Sequence, residues 1–300
     1  GLDTRTTWKN LIAGHSGITE ITSFDTSGFE TRIAAEIRGF DPTAFMNVKE
    51  ARRADRFTQL ALAATDEAMQ QAMLNVTPSN ADRVGVVVGS GVGGILTLSE
   101  QYGVLHEKGP RRVSPFLIPM MLVDMAAGQV SIRVGAKGPN YSTVTACASG
   151  SDAIGAGFEM IRRGDVDVAV CGGTEAPICP VAVSGFNAVS ALSRRNDDPT
   201  GASRPFDAGR DGFVIGEGAA TLVLEEAELI ALALVNAEHG LFVDLLSLVE
   251  NGCIFADRIV NLRNSARENF MKPQVRLHGG FGQEVKSPDH IVLGSDSIDA

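Results

Sequence analysis

Asn140-Tyr-Ser-Thr-Val-Thr-Ala-Cys-Ala-Ser-Gly150 is the stretch on which the reading of this chain turns. Tyr141 to Thr145 carry β-branched and aromatic side chains and no charge, which predicts a buried strand. Ala146, Ala148, Ser149 and Gly150 then crowd around one cysteine, Cys147. From Ser151 to Arg163, Ala153, Ile154, Ala156, Gly157, Met160 and Ile161 recur at helical spacing. Cys147 therefore falls at a strand-to-helix turn. There the helix dipole and the free N–H groups favour an anion at sulfur. Small neighbours leave room for a substrate to approach. The competing reading is a buried structural cysteine, the commoner fate of a lone thiol.

Working outward, Val166 to Cys171 reads as an apolar strand ending in Gly172-Gly-Thr-Glu175, and Arg83 to Val88 as another. Ala219 to Leu224 closes the pattern as a further strand. Helix–strand alternation on this scale predicts an α/β domain with a largely parallel sheet, whose active residues lie at strand C-terminal ends. Around this frame we expect a short helix within Leu2 to Gly17. Asp3 or Thr4 caps it, Trp8, Leu11 and Ile12 face inward, and Gly14 ends it. Thr31 to Ile37 reads as a strand. Lys49 to Leu74 reads as one helix with Phe57, Leu60, Ala61, Ala64, Ala68 and Met73 on one side. Ser114-Pro115 opens a helical run from Phe116 to Val130, and Pro177 to Ala191 reads as a helix and loop.

Three hundred residues at 44% hydrophobic suit one large domain or two medium ones. A net charge of −10 argues against general nucleic-acid binding, because phosphates would not be neutralised. The four cysteines, at 147, 171, 179 and 253, have no CxxC or metal spacing, so no metal site is expected and a reducing, cytoplasmic compartment is. No apolar run reaches the roughly 18 residues of a membrane span, so no membrane partner is expected. There is no signal peptide, and the start at Gly1 suggests a trimmed N-terminus.

Gly89-Ser-Gly-Val-Gly-Gly94 follows a strand and precedes a helix, which literally fits G-x-G-x-x-G. A dinucleotide site would also need an acidic residue ending a second strand; Glu107 sits in a polar turn instead. Close backbone packing, or the wall of a narrow channel, is the simpler use of these glycines. Lys49, Arg52, Arg53 and Arg56, with Arg111 and Arg112, form a basic island on an acidic chain. That island is either a solvated face or a dock for an acidic partner.

The run Thr145-Ala-Cys-Ala-Ser-Gly150, the Gly172-Gly-Thr-Glu175 turn, Ser203-Arg-Pro-Phe-Asp207 and Arg210-Asp-Gly-Phe-Val-Ile-Gly-Glu-Gly218 resemble the β-ketoacyl-acyl-carrier-protein synthases, nearest the elongating type II enzymes. Gly89 to Gly94 and Arg111-Arg-Val-Ser-Pro-Phe116 are similar to the same family. The likeness covers about residues 1–226. It implies a thiolase-like fold, layered αβαβα, of which this chain carries the first half, the second being absent or replaced. It implies that Cys147 takes an acyl chain from acyl carrier protein as a thioester. A decarboxylated malonyl group on acyl carrier protein then attacks that thioester, giving a 3-oxoacyl chain two carbons longer. A thiolate is both a good nucleophile and a good leaving group, which suits two-step acyl transfer. The backbone N–H of Cys147 would supply half of an oxyanion hole. Val92 and Leu117 fall where the family lines its acyl pocket. Lys49, Arg52, Arg53, Arg111, Arg112 and Arg194 become the groups that grip an acidic carrier protein. The resemblance implies no cofactor, and a homodimer.

The family's second half brings two catalytic histidines, one in His-Gly-Thr, a lysine ahead of the second, and a gatekeeping phenylalanine. No His-Gly-Thr occurs here. His239 and His278 are faint echoes, Phe281 is no secure gatekeeper, and His15, His106 and His290 sit in ordinary surface contexts. Residues 227–300 are thus a separate segment, either a foreign or frameshifted continuation or a replacement of the second half. Leu229 to Val249 and Arg258 to Met271 read as helical, and His290 to Leu293 as a strand. On the first reading the chain accepts an acyl group on Cys147 and fails to condense. Two other readings stand beside a fatty-acid condensing enzyme: a polyketide ketosynthase, and a non-catalytic partner subunit of such a system. The nucleotide-binding oxidoreductase rests on Gly89 to Gly94 alone.

Overall fold

A computed structural model describes residues 1–226 and 275–278, which fall within a single structural unit. Helix α1 (Thr4–Ile12) comes first, then short strands β1 (Thr19–Glu20) and β2 (Ile33–Ala34), paired antiparallel. Helices α2 (Val48–Ala51) and α3 (Arg56–Ala72) lead to β3 (Val84–Gly89) and α4 (Ile95–Lys108). Next come α5 (Leu117–Met121), α6 (Met125–Val134), β4 (Asn140–Tyr141), α7 (Ser149–Arg162), β5 (Val168–Glu175), α8 (Pro180–Ala188) and β6 (Gly218–Glu226). Strand β7 (Val275–His278) pairs with β6.

The main sheet has the order β4-β3-β5-β6-β7. Strands β4, β3 and β5 run parallel, whereas β6 is antiparallel to β5 and β7 to β6. The sheet is therefore mixed rather than largely parallel. The long loop from α8 returns the chain alongside β5 in the opposite sense, and such a return needs no crossover helix.

Alternation along β3 sorts the core into two faces. Val84, Val86 and Val88 pack with Phe57, Leu60 and Ala61 of α3 and Ala126, Ala127 and Val130 of α6. Val87 packs with Ala153, Met160 and Ile161 of α7 and with Ala169 and Cys171 of β5. A strand buried on both faces reads as an unbroken apolar run, which is what the sequence has there. Each fully buried Val, Phe or Met contributes about 1.5–3 kcal/mol by leaving water. A third cluster joins Ile21, Ala34, Ile178, Val183, Leu192 and Ile215.

Several sequence expectations are corrected. Lys49 to Leu74 is two helices, because the Asp55 side chain caps α3 by accepting from Phe57 N, and capping requires extended backbone at that residue. An Asn47–Glu50 capping box starts α2 separately. Phe116 to Val130 is likewise split, since Leu122 turns extended and the Met121 carbonyl accepts from Gly94 N across the loop. Asp3 caps α1 as expected, but Leu11 and Ile12 are exposed and nothing on α1 is fully buried. Thr31 to Ile37 shrinks to β2, and Glu107 lies in α4 rather than in a turn.

The largest correction concerns Tyr141 to Thr145. Only Asn140 and Tyr141 pair with β3, at the sheet edge, and Tyr141 and Val144 are exposed. Beyond them Thr143 still accepts from Ser90 N, but the chain then swings off the sheet into the 3-10 turn Ala146–Ala148. The readings made for Leu229 to Val249, Arg258 to Met271, His239, Phe281, His290 and Cys253 lie outside the described residues. His278 is the last residue of β7, opposite Val223.

Candidate active site

Cys147 sits in the middle of the turn Ala146–Ala148, immediately before α7, and is exposed. The residue before it, Ala146, has φ +51°, a left-handed conformation that costs a non-glycine residue about 1 kcal/mol. Ser149 holds the turn in that shape. Its Oγ donates to the Ala146 carbonyl at 2.6 Å and accepts from Thr145 N at 2.9 Å. Thr143 Oγ1 in turn donates to the Ser149 carbonyl at 2.7 Å.

Glycines plant this turn on the sheet. A Cβ on Gly89 would lie 2.1 Å from the Ser149 carbonyl oxygen, and one on Gly173 2.8 Å from the Gly150 Cα. Only hydrogen fits at these positions, so the start of α7 rests directly on the C-terminal ends of β3 and β5. The turn bearing Cys147 thus lies at the strand ends where α/β sheets present their chemistry.

The other described cysteines are unlike it. Cys171 is fully buried in β5, and burial pushes its thiol up to about 12. Cys179 is buried at the start of α8 and is also pushed up, chiefly by burial. All three are unpaired. Of the described cysteines, only Cys147 is open to an electrophile.

The glycine loop Gly89 to Gly94 receives a protein carboxylate, not a nucleotide. Glu175, at the end of β5, accepts from Gly91 N at 2.6 Å, Val92 N at 3.2 Å and Ser90 Oγ at 3.0 Å. Ser90 Oγ also accepts from Gly93 N. The donors a phosphate would need are already spent, which removes the dinucleotide reading. Burial pushes the Glu175 carboxyl above its ordinary range, outweighing those hydrogen bonds. A carboxyl raised in the folded state holds its proton more tightly there than in the unfolded chain. Stability contributed at this site therefore falls as pH rises above 4.5, the ordinary value. The uncharged E175Q variant should accordingly gain stability relative to wild type between pH 4.5 and neutrality, read from urea midpoints at each pH. A difference that shrinks or is flat with rising pH would contradict this.

Val92 is 44% exposed in the glycine loop, and Leu117 is partly buried at the start of α5. The two segments touch: a Cβ on Gly94 would lie 2.2 Å from the Met120 carbonyl oxygen, and one on Gly93 3.0 Å from Val123. A cavity of about 380 Å³ lies elsewhere, lined by Glu36, Arg38, Arg56, Leu96 and Glu217 among others. It includes neither Cys147 nor Val92 nor Leu117, and its Arg56 is ion-paired with Glu217 at 2.7 Å. That pair explains part of the Arg210–Gly218 motif, for Glu217 also accepts from Ile37 N.

Of the six basic residues singled out, Lys49, Arg52, Arg53, Arg111 and Arg112 are exposed on α2, just after it, and on the 3-10 turn Pro110–Arg112. Arg53 lies over the Phe116 ring at 4.4 Å, which joins the two segments into one basic face. Arg194 belongs elsewhere: it pairs with Glu30 at 2.7 Å, beside the third core cluster. Among the described residues no group of three His, Cys, Asp or Glu could hold a metal, and no helix is long and apolar enough to cross a membrane. Sequence reasoning missed Glu175 and Ser149 as organisers of the site. Ser149 was visible as a small residue two past the cysteine, but Glu175 meets the loop only across 85 residues of chain.

The site is an exposed thiol raised on a strained turn at the strand ends of a mixed α/β unit with helices on both faces of its sheet. Residues 1–229 match the family model described as Beta-ketoacyl synthase, N-terminal domain. The chain belongs to the β-ketoacyl synthase family and carries that N-terminal domain. It is 52% identical over 228 residues to 3-oxoacyl-[acyl-carrier-protein] synthase 2 of Staphylococcus aureus, covering 76% of this chain and 56% of that one. It is 50% identical over 221 residues to the enzyme of the same name from Synechocystis, covering 74% and 53%. Among solved structures, a β-ketoacyl synthase from Burkholderia phymatum superposes with a TM-score of 0.68 at 36% identity, over 75% of this chain and 56% of that one. A type II polyketide ketosynthase, solved with its acyl carrier protein and bound to the hexaketide, gives a TM-score of 0.65 at 30% identity, over 76% and 55%. The chain thus spans about half the length of the relatives it matches. The expected thiolase-like fold is present as the N-terminal half of that architecture.

Proposed function

We propose that this chain is the nucleophile-bearing half of a 3-oxoacyl-acyl-carrier-protein synthase of fatty-acid elongation, with Cys147 as the acyl acceptor. The observation that carries the reading is the exposure of Cys147 on a turn fixed by Ser149, beside two thiols held inaccessible by burial. In the step we propose, the Cys147 sulfur attacks the acyl thioester carbonyl on acyl carrier protein. A new sulfur–carbon bond forms, and the carrier's thiol departs with the proton. Val92 and Leu117 line the path of the acyl chain. Identity of 52% to a 3-oxoacyl-[acyl-carrier-protein] synthase 2, against 30% to the polyketide ketosynthase, favours fatty-acid over polyketide chains. The domain boundary we place at residue 226, and the unpaired cysteines suit a cytoplasmic setting.

The basic face of Lys49, Arg52, Arg53, Arg111 and Arg112 is the proposed dock for the acidic carrier. Arg194, balanced by Glu30, contributes least. Charge reversal at Arg111 and Arg112 together should slow Cys147 acylation by acyl carrier protein about tenfold relative to acylation by a small acyl thioester. The gap should narrow at high salt. Equal slowing with both donors would remove this dock. Light scattering tests the homodimer: the full chain should run at twice its own mass.

Incubation of the full chain with acyl-acyl carrier protein, followed by intact mass and peptide mapping, tests the reading as a whole. One acyl group on the Cys147 peptide is expected. An unmodified chain would overturn the proposal.

A further inference from the structure

We infer that Glu175 is a positioning residue that sets which acyl chains reach Cys147, acting through the backbone of Ser90 to Val92. This rests on the reading of Cys147 as acyl acceptor and extends it to a residue 28 positions downstream of the sulfur.

The geometry is that of a half-buried clamp. Glu175 closes β5, and its carboxylate reaches across to the end of β3. One oxygen takes the N–H groups of Gly91 and Val92; the other takes the Ser90 hydroxyl. Ser90, fully buried, passes the constraint on by accepting from Gly93 N. Three successive residues of the loop are thereby fixed to one side chain, with Gly93 held through Ser90, and Val92 is the member whose side chain reaches solvent.

Gly91 ties the clamp to the nucleophile. A Cβ there would lie 2.9 Å from a Glu175 carboxylate oxygen and 3.4 Å from the Ala146 carbonyl oxygen. The loop is thus sandwiched between Glu175 and the residue preceding Cys147. Any drift of the loop alters the spacing between Val92 and the sulfur. No described cation pairs with this carboxylate, so its role falls to these hydrogen bonds. At the far end, Asp55 accepts from Thr97 N and Oγ1 at 2.9 and 2.6 Å. The segment is therefore held at both ends by carboxylates, half-buried Glu175 on the loop and buried Asp55 at the first turn of α4.

A selectivity ratio separates this role from general support of the fold. The probes are iodoacetamide and N-dodecyl iodoacetamide, each alkylating Cys147 as sulfur displaces iodide. Rates on the Cys147 peptide of the full chain give the ratio of long to short. Wild type should favour the long probe. E175A should lower the ratio about tenfold, and E175D, which withdraws the carboxylate by one methylene, severalfold. E175Q keeps a carbonyl for Gly91 and Val92 and should stay within about threefold of wild type. R83A, which breaks the distant Arg83–Asp167 pair, should change stability without moving the ratio. Should E175A be insoluble, E175D decides. An unchanged ratio in E175A or E175D, or a loss in E175Q as deep as in E175A, overturns the inference. A wild-type ratio of one means that the acyl-acceptor reading has itself failed, a result visible before any variant is made.

Discussion

Cys147→Ala is expected to abolish the acyl adduct. Wild-type chain incubated with acyl-acyl carrier protein gains one acyl mass, and the variant gains none. The rate of adduct formation should fall by at least about a thousandfold, the scale on which removing a covalent nucleophile acts. The size of the effect follows from the absence of an accessible substitute among the described cysteines. Cys171 is sealed in β5 with its thiol pushed up to about 12, and Cys179 is buried at the start of α8. Stability should hardly change, because Cys147 is exposed and exposed substitutions stay within about 0.5 kcal/mol. Melting temperature is therefore the internal control. An adduct persisting in the variant would move the nucleophile elsewhere and dismantle the proposed function.

Gly89→Ala is expected to be the most damaging single-methyl change near the site. The added carbon would lie 2.1 Å from the Ser149 carbonyl oxygen, 2.3 Å from its carbon and 2.9 Å from Gly150 N. All three are backbone atoms and cannot rotate aside. Either β3 or the start of α7 must shift, and both sit in packed cores. Overpacking of this kind costs about 3 kcal/mol or more, which for a unit this size lowers the melting temperature by roughly 6–12 °C. The turn bearing Cys147 moves with α7, so alkylation there should change as well. Gly155→Ala is the control, since a Cβ on that helix position meets nothing within 4 Å. A G89A variant as stable as wild type would mean that α7 is not seated on β3 as described.

How much of this was legible in the sequence depended on range. The apolar run of β3 and the 3.6-residue period of α7 are local signals, and both elements were expected nearly as found. The turn at Cys147 was legible because small residues flanked it. Tyr141 to Thr145 misled, since β-branched residues read as buried strand wherever they lie, and here only two residues pair at a sheet edge. The break between α2 and α3 falls at Arg52 to Asp55, and Asp55, which caps α3 through Phe57 N, is held in place by Thr97, 42 residues away, a contact that no local pattern shows. The Glu175 clamp was invisible for the same reason. Side chains that act across the sheet leave no periodicity. The arginines proposed for docking were visible as charge, but only the Arg194–Glu30 contact shows which of them is already neutralised.

Within the Ser203 to Asp207 motif, Phe206 stands 99% exposed at φ +67°, and every residue from Pro205 to Asp211 is exposed. An aromatic ring presented on an open loop, with proline before it and no helix to unwind, is an easy substrate for chymotrypsin. Limited digestion should therefore cut after Phe206 earlier than at the other described aromatic residues. Because β5 and β6 remain bonded along eight residue pairs, the two pieces should stay together until denaturant is added.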